Sequence, residues 1–134
     1  MASAAPAAAP AFRSRPLAER QAEAARIASE YPGRVGVIIE RSPKSRSTTP
    51  SLPGPQTKLI VPGELTIAQV QALIMGRLQL PPTQALFLFV AAPGGKHVLA
   101  PAGTQVREVW AAMAAPDGFL WLSYAGEEVF GAAL

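Results

Sequence analysis

Residues able to do chemistry are few and widely separated in this chain. It has one histidine, His97, one aspartate, Asp117, and no cysteine. A Ser-His-Asp triad would need both of the first two, and nothing in the sequence brings their two turn-rich segments together. The missing thiol excludes disulfides, thiolate metal sites and a cysteine nucleophile from this chain. No His, Asp or Glu cluster with metal-ligand spacing is present, so neither a metal nor a cofactor is expected. Gly94-Gly95-Lys96 lacks the Walker spacing and a following helix, and reads as a turn rather than a phosphate loop. Glu127-Glu128 is one adjacent pair, better suited to a solvated end than to acid–base work. One backbone position has a chemical reading. Gly131 follows Phe130 and precedes Ala132-Ala133-Leu134. A residue with no Cβ lets a chain thread a narrow protease cleft. Taken alone, it is one of 11 glycines.

The chain must be long enough to position anything it uses. Its 134 residues suit one domain with one core, and 49% are hydrophobic, a figure raised by alanine. Twelve basic against 9 acidic residues give a formal net charge of +3. That mild excess favours acidic partner segments or anionic surfaces. The basic residues are dispersed and not interleaved with aromatics, which argues against a nucleic-acid platform. No apolar run reaches the roughly 18 residues of a membrane-spanning helix. Residues 1–16 are rich in alanine and proline; Arg13 and Arg15 give them a faint transit-peptide character, but Pro6, Pro10 and Pro16 break any long amphipathic helix. They are read as a disordered tail.

Residues 17–30 form the first expected helix, with Leu17, Ala24, Ala28 and Tyr31 on one face and Ile27 beside it. Pro32-Gly33 ends it. Arg34 to Arg41 reads as a strand: Val35, Val37 and Ile39 point one way, Gly36, Ile38 and Glu40 the other. Ile38 is therefore an apolar side chain on an otherwise polar face. Pro43, Pro50, Pro53 and Pro55 make residues 42–57 a long loop, a length often associated with function. Lys58 to Val61 is a short strand, and Pro62 marks an edge or an end. Thr66 and Gln69 form a capping box for a second helix with the stripe Ile67, Val70, Ile74 and Leu78, stopped by Pro81-Pro82. Residues 85–90 are a continuous apolar run, as in a central strand. Pro93-Gly94-Gly95 turns. A third helix opens at Thr104 with the stripe Val106, Val109, Trp110 and Met113. Asp117-Gly118 turns into a last strand at Phe119 to Leu122. Two adjacent strands, a helix and further strands give the β-grasp order. The expected fold is α+β, a ubiquitin-like β-grasp with an extra N-terminal helix outside the sheet, spanning residues 17–124, with a flexible tail at 125–134. Fold alone does not set function.

Several ordered pieces then resemble one family. Tyr31-Pro32-Gly33-Arg34-Val35 with Val37-Ile38-Ile39-Glu40 is similar to the signature and first strand of the autophagy-related protein eight family, the GABARAP-like ubiquitin-like modifiers. Leu59-Ile60-Val61-Pro62 with Leu65-Thr66, Leu80-Pro81-Pro82 with residues 85–90, and Asp117-Gly118-Phe119-Leu120 with Tyr124-Ala125-Gly126-Glu127 follow in the family's order. Phe130-Gly131 resembles its processing end. The resemblance implies a modifier and not an enzyme. A cysteine protease would trim it after Gly131, and E1-like and E2-like enzymes would join the glycine carboxyl to phosphatidylethanolamine. That would move it from the cytoplasm to the autophagosome membrane. It also implies binding of receptors with aromatic-x-x-aliphatic motifs, which add a strand at Lys58 to Val61. By matching positions, one motif pocket would use Glu23, Ile27, Ile38, Lys58, Ile60 and Phe119. The other would use Leu59, Val61, Leu65, Val70, Leu73 and Ile74, with Arg77 at the rim. Gly36 stands where the family usually has proline, Leu59 where tyrosine is frequent, and the Ala/Pro tail replaces a leading helix. Two other readings exist: a β-grasp interaction module that is never conjugated, and a modifier joined to a protein, against which the three residues after Gly131 argue.

Overall fold

A computed structural model describes residues 12–42, 50–53, 57–81 and 83–126. Three helices and five strands follow one another as α1 (Leu17–Glu30), β1 (Arg34–Arg41), β2 (Lys58–Pro62), α2 (Ile67–Arg77), β3 (Leu86–Ala91), β4 (His97–Leu99), α3 (Val106–Met113) and β5 (Leu120–Gly126). The strands make one mixed sheet in the order β2-β1-β5-β3-β4. β1 runs antiparallel to β2 and parallel to β5; β3 is antiparallel to both β5 and β4. This is the expected ubiquitin-like α+β arrangement.

Alternation along the strands sorts side chains to two faces. Val37 and Ile39 of β1, Leu88 and Val90 of β3, and Leu120 and Leu122 of β5 meet α2 and α3 in the larger core. Each such side chain contributes about 1.5–3 kcal/mol when fully buried. α2 begins as the sequence dictates: Thr66 Oγ1 accepts from the Gln69 amide at 3.3 Å, and Gln69 Oε1 accepts from the Thr66 amide at 2.8 Å. Its end differs from expectation. The helix closes before the two prolines, with Gln79 in the left-handed region at φ 56°. The Leu80 amide donates to Met75 O and the Gln79 amide to Gly76 O, a Schellman closure.

Other boundaries also move. β4 was not expected, because three residues carry too short a pattern to register; the Pro93–Gly95 turn lays them along β3, and His97 sits exposed on that edge. β5 continues past Tyr124 through Gly126, paired with β3, so Ala125 and Gly126, expected in a flexible tail, belong to the sheet. Trp110 does not join the core. It is 39% exposed, and its indole N–H donates to Gly118 O at 2.8 Å. The far end of the long loop is held by Tyr124, whose hydroxyl donates to Pro50 O (2.7 Å) and accepts from the Leu52 amide (3.2 Å). Burial pushes this phenol above its ordinary value, which keeps the donor in place.

The second face carries α1, and its contact surface is not the predicted one. Leu17 and Tyr31 are 44% and 42% exposed; Ile27 is the buried residue of the helix, with Ala24 half-buried. The apolar patch beneath is small: Ile38, Phe119 and Trp121, gathered with Ile27. Polar contacts supply the remainder. Asp117, 2% exposed, accepts from Arg20 Nη1 at 2.9 Å, Trp121 Nε1 at 2.9 Å and the Phe119 amide at 2.8 Å. Gly118 lies at φ 90°, and a Cβ there would come within 3.0 Å of Ala24 Cβ. Under this helix a Cβ on Gly36 would lie 2.7 and 2.8 Å from two ring carbons of Phe119. The ring therefore occupies the space that a side chain on β1 would need.

Two stability outcomes follow. Asp117→Ala removes the acceptor of three donors, Arg20 among them, and should cost about 3–5 kcal/mol in urea unfolding; a loss below about 1 kcal/mol would mean that the network is not holding α1. Gly36→Ala overpacks Phe119 and should cost about 1–3 kcal/mol, measured the same way; an unchanged midpoint would show that the ring moves aside freely.

Candidate functional site: the open edge of β2

β2 is the outermost strand on its side of the sheet, and among the described residues no strand pairs with its outer edge. The Ile39 amide donates to Thr57 O at 2.7 Å. The register Val37↔Leu59 and Val35↔Val61 continues that bonded pairing. Antiparallel alternation then turns the backbone groups of Lys58 and Ile60 outward. The Ile60 carbonyl meets Arg34 Nη1 at 3.4 Å, a long contact that leaves the edge accessible. An extended peptide has a row of donors and acceptors to meet here.

The side chains of β2 divide between the two faces. Lys58 and Ile60 lie on the α1 side, half-buried; Leu59 and Val61 lie on the α2 side, buried. The first set of expected site residues is brought together. Ile27, Ile38 and Phe119 form one buried cluster with Ile60 packed against it, and Lys58 is ion-paired with Glu23. Ile38 is 1% exposed: the outward strand residue noted in the sequence is covered by α1. In the second set, Leu59, Val61, Val70 and Ile74 belong to the larger core, with Leu65 and Leu73 half-buried against it. Arg77 is exposed at the end of α2. Phe130 and Gly131 lie outside the described residues.

Charge around the first cluster is arranged in pairs. Glu23 faces both Lys58 and Arg15, the latter at 3.5 Å. Arg13 pairs with Glu40 at 2.5 Å; that hydrogen bond raises the guanidinium above its ordinary value and keeps it charged. Arg26 pairs with Glu30 within α1 at 2.7 Å, the surface pairing that helix spacing allows. Four contributing residues escape a reading of the sequence. Asp117 signalled a turn through its neighbour Gly118, but not a carboxylate shared by three donors. Gly36 signalled a missing side chain, but not the ring that fills its place. Phe12 and Arg13, read as disordered tail, form a short 3-10 turn with Ser14 and rest on the sheet.

Comparison with known proteins bears on this site. The family described as autophagy protein Atg8, ubiquitin like, matches residues 19–131. Autophagy-related protein 8d of Arabidopsis thaliana is 40% identical over 116 residues, covering 87% of this chain and 89% of the relative. Autophagy-related protein 8A of Oryza sativa is 36% identical over 118 residues, 88% of this chain and 92% of the relative. The crystal structure of Trypanosoma brucei ATG8 superposes with a TM-score of 0.75 at 28% identity, covering 87% of this chain and 92% of that one. A family match over residues 19–131, identity with plant relatives over most of the chain and a shared fold place the chain in one group: it belongs to the Atg8 family of ubiquitin-like autophagy proteins.

Proposed function

We propose that this chain is a lipid-conjugated autophagy modifier that gathers partners through the edge of β2. The observation that carries the partner half is the position of that edge between apolar clusters on opposite faces of one sheet. Residues i and i+3 of an extended peptide point to opposite faces, because the side-chain period is two. A peptide of the form aromatic-x-x-aliphatic, paired along β2, therefore sends one anchor toward Ile27, Ile60 and Phe119 and the other toward Leu59, Leu65 and Leu73. Backbone pairing supplies affinity, and the two anchors supply selection. Lys58, Arg77 and the formal net charge of +3 favour acidic residues flanking such a motif.

Family membership supports the covalent half. In this reading a cysteine protease removes Ala132 to Leu134. E1-like and E2-like enzymes then activate the Gly131 carboxyl and pass it to the amine of phosphatidylethanolamine, forming an amide. The chain supplies the glycine and the folded surface that those enzymes hold; the chemistry belongs to them. The modified protein then leaves the cytoplasm for the autophagosomal membrane and carries motif-bearing receptors with it. A β-grasp module that is never conjugated would use the same edge without the lipid.

The two halves are tested separately. Intact mass from soluble and membrane fractions of starved cells should show loss of Ala132 to Leu134, with a phospholipid-sized addition in the membrane fraction. Gly131→Ala should abolish both changes. A full-length unmodified chain in both fractions would leave only the unconjugated module. For the edge, Ile60→Asp is preferable to any change at Ile38, which is buried. It should weaken an acidic aromatic-x-x-aliphatic peptide by more than about 1 kcal/mol in calorimetry. Unchanged affinity, with the fold intact by circular dichroism, would remove the edge from the binding site.

A further inference from the structure

The Phe12–Ser14 turn lies over the cluster that would receive an aromatic anchor. The Phe12 ring meets Phe119 edge-on, with centroids 5.1 Å apart and planes at 78°, and Trp121 at 6.0 Å. It packs half-buried against the cluster of Ile27, Ile38, Phe119 and Trp121, alongside Ile60. Lys58 Nζ stands 5.8 Å from the ring centroid and Arg15 Cζ 5.4 Å. The next residue fastens the turn: Arg13 lies 4.7 Å from the Trp121 ring and pairs with Glu40 across the sheet. Lys58, the cation expected to meet a motif's acids, is held by Glu23. Both groups on the α1 side that would greet an incoming peptide, the apolar cluster and the lysine, are thus already engaged by this chain.

We propose that Phe12 is an internal stand-in for the motif's aromatic residue, and that the turn bearing it competes with partners for the α1 side of the edge. The inference rests on the partner half of the proposed function. It adds a regulatory consequence: apparent affinity equals the affinity of the undocked state multiplied by the fraction of molecules in that state. Whatever draws the N-terminal segment away, a partner or a membrane surface, raises affinity at β2 with no change to β2 itself.

The test uses the full chain and a fluorescein-labelled peptide containing Asp-Asp-Trp-Val-Ile-Leu. Phe12→Ala should bind it about tenfold more tightly than the unaltered chain, the scale of one buried aromatic pairing. Arg13→Glu, which sets a like charge against Glu40 on an exposed side chain, should shift affinity the same way by a smaller factor. In NMR, contacts between the Phe12 and Phe119 rings should be present in the free protein and vanish at peptide saturation. Equal or weaker binding by Phe12→Ala, or ring contacts that persist in the saturated complex, would overturn the proposal while leaving the edge a binding site. No binding by either chain would sink the partner reading, and this proposal with it.

Discussion

One buried carboxylate decides how the outer helix sits on the sheet. Asp117 is closed off from water, and an uncompensated charge there would cost several kcal/mol. Its three donors come from α1, from β5 and from the turn between Asp117 and Phe119, so satisfying it fixes all three at once. The apolar patch under α1 is too small to set an angle by area alone. That is why the helix can leave Leu17 and Tyr31 in solvent and still be held. Phe119 and Trp121 take their positions from the same carboxylate, and through them it shapes the α1 side of the β2 edge.

That side is filled in layers. Gly36 has no side chain, so Phe119 lies against the β1 backbone; Phe12 then lies edge-on against Phe119. In the family pattern a proline usually stands at the position of Gly36 and a helix leads the chain. In this chain the Phe119 ring lies against Gly36, and Phe12 packs on that ring. On the opposite face Leu59 and Val61 run into the main core, and the half-buried Leu65 and Leu73 form the surface there. The two sides of one strand therefore differ in kind. One is closed by a short turn ahead of α1, the other by residues of the main core.

The sequence carried much of this, unevenly. Strong local signals gave the right answer: the Thr66–Gln69 capping box, the alternation of β1, the apolar run of β3 and the Pro32 stop are each set within a few residues. The errors share a cause. The exposed face of α1 and the docking of Phe12 depend on groups far away in the chain, Asp117, Gly118 and Phe119, and the surface position of Trp110 on a tertiary bond to Gly118 beyond the end of its helix. β4 forms because β3 has an edge to offer, not because His97–Leu99 has a pattern of its own. Periodicity reports which side chains suit burial. It does not report which small patch on the far side of a sheet is available to bury them. The candidate site was legible mainly through a family resemblance, with Ile38 as its one independent clue.

The strand order has a consequence in time. β5 lies between β1 and β3 and is the last of the five strands to be synthesised. Until it emerges, β1 can pair only with β2, β3 only with β4, and α1 lacks the carboxylate that holds it. A ribosome-bound fragment ending before Asp117 has two separate hairpin-like pieces and no sheet. Native contacts of long sequence separation close together, late and cooperatively. The order of synthesis thereby makes the surface all-or-none: a chain truncated before β5 has no intact β-grasp sheet.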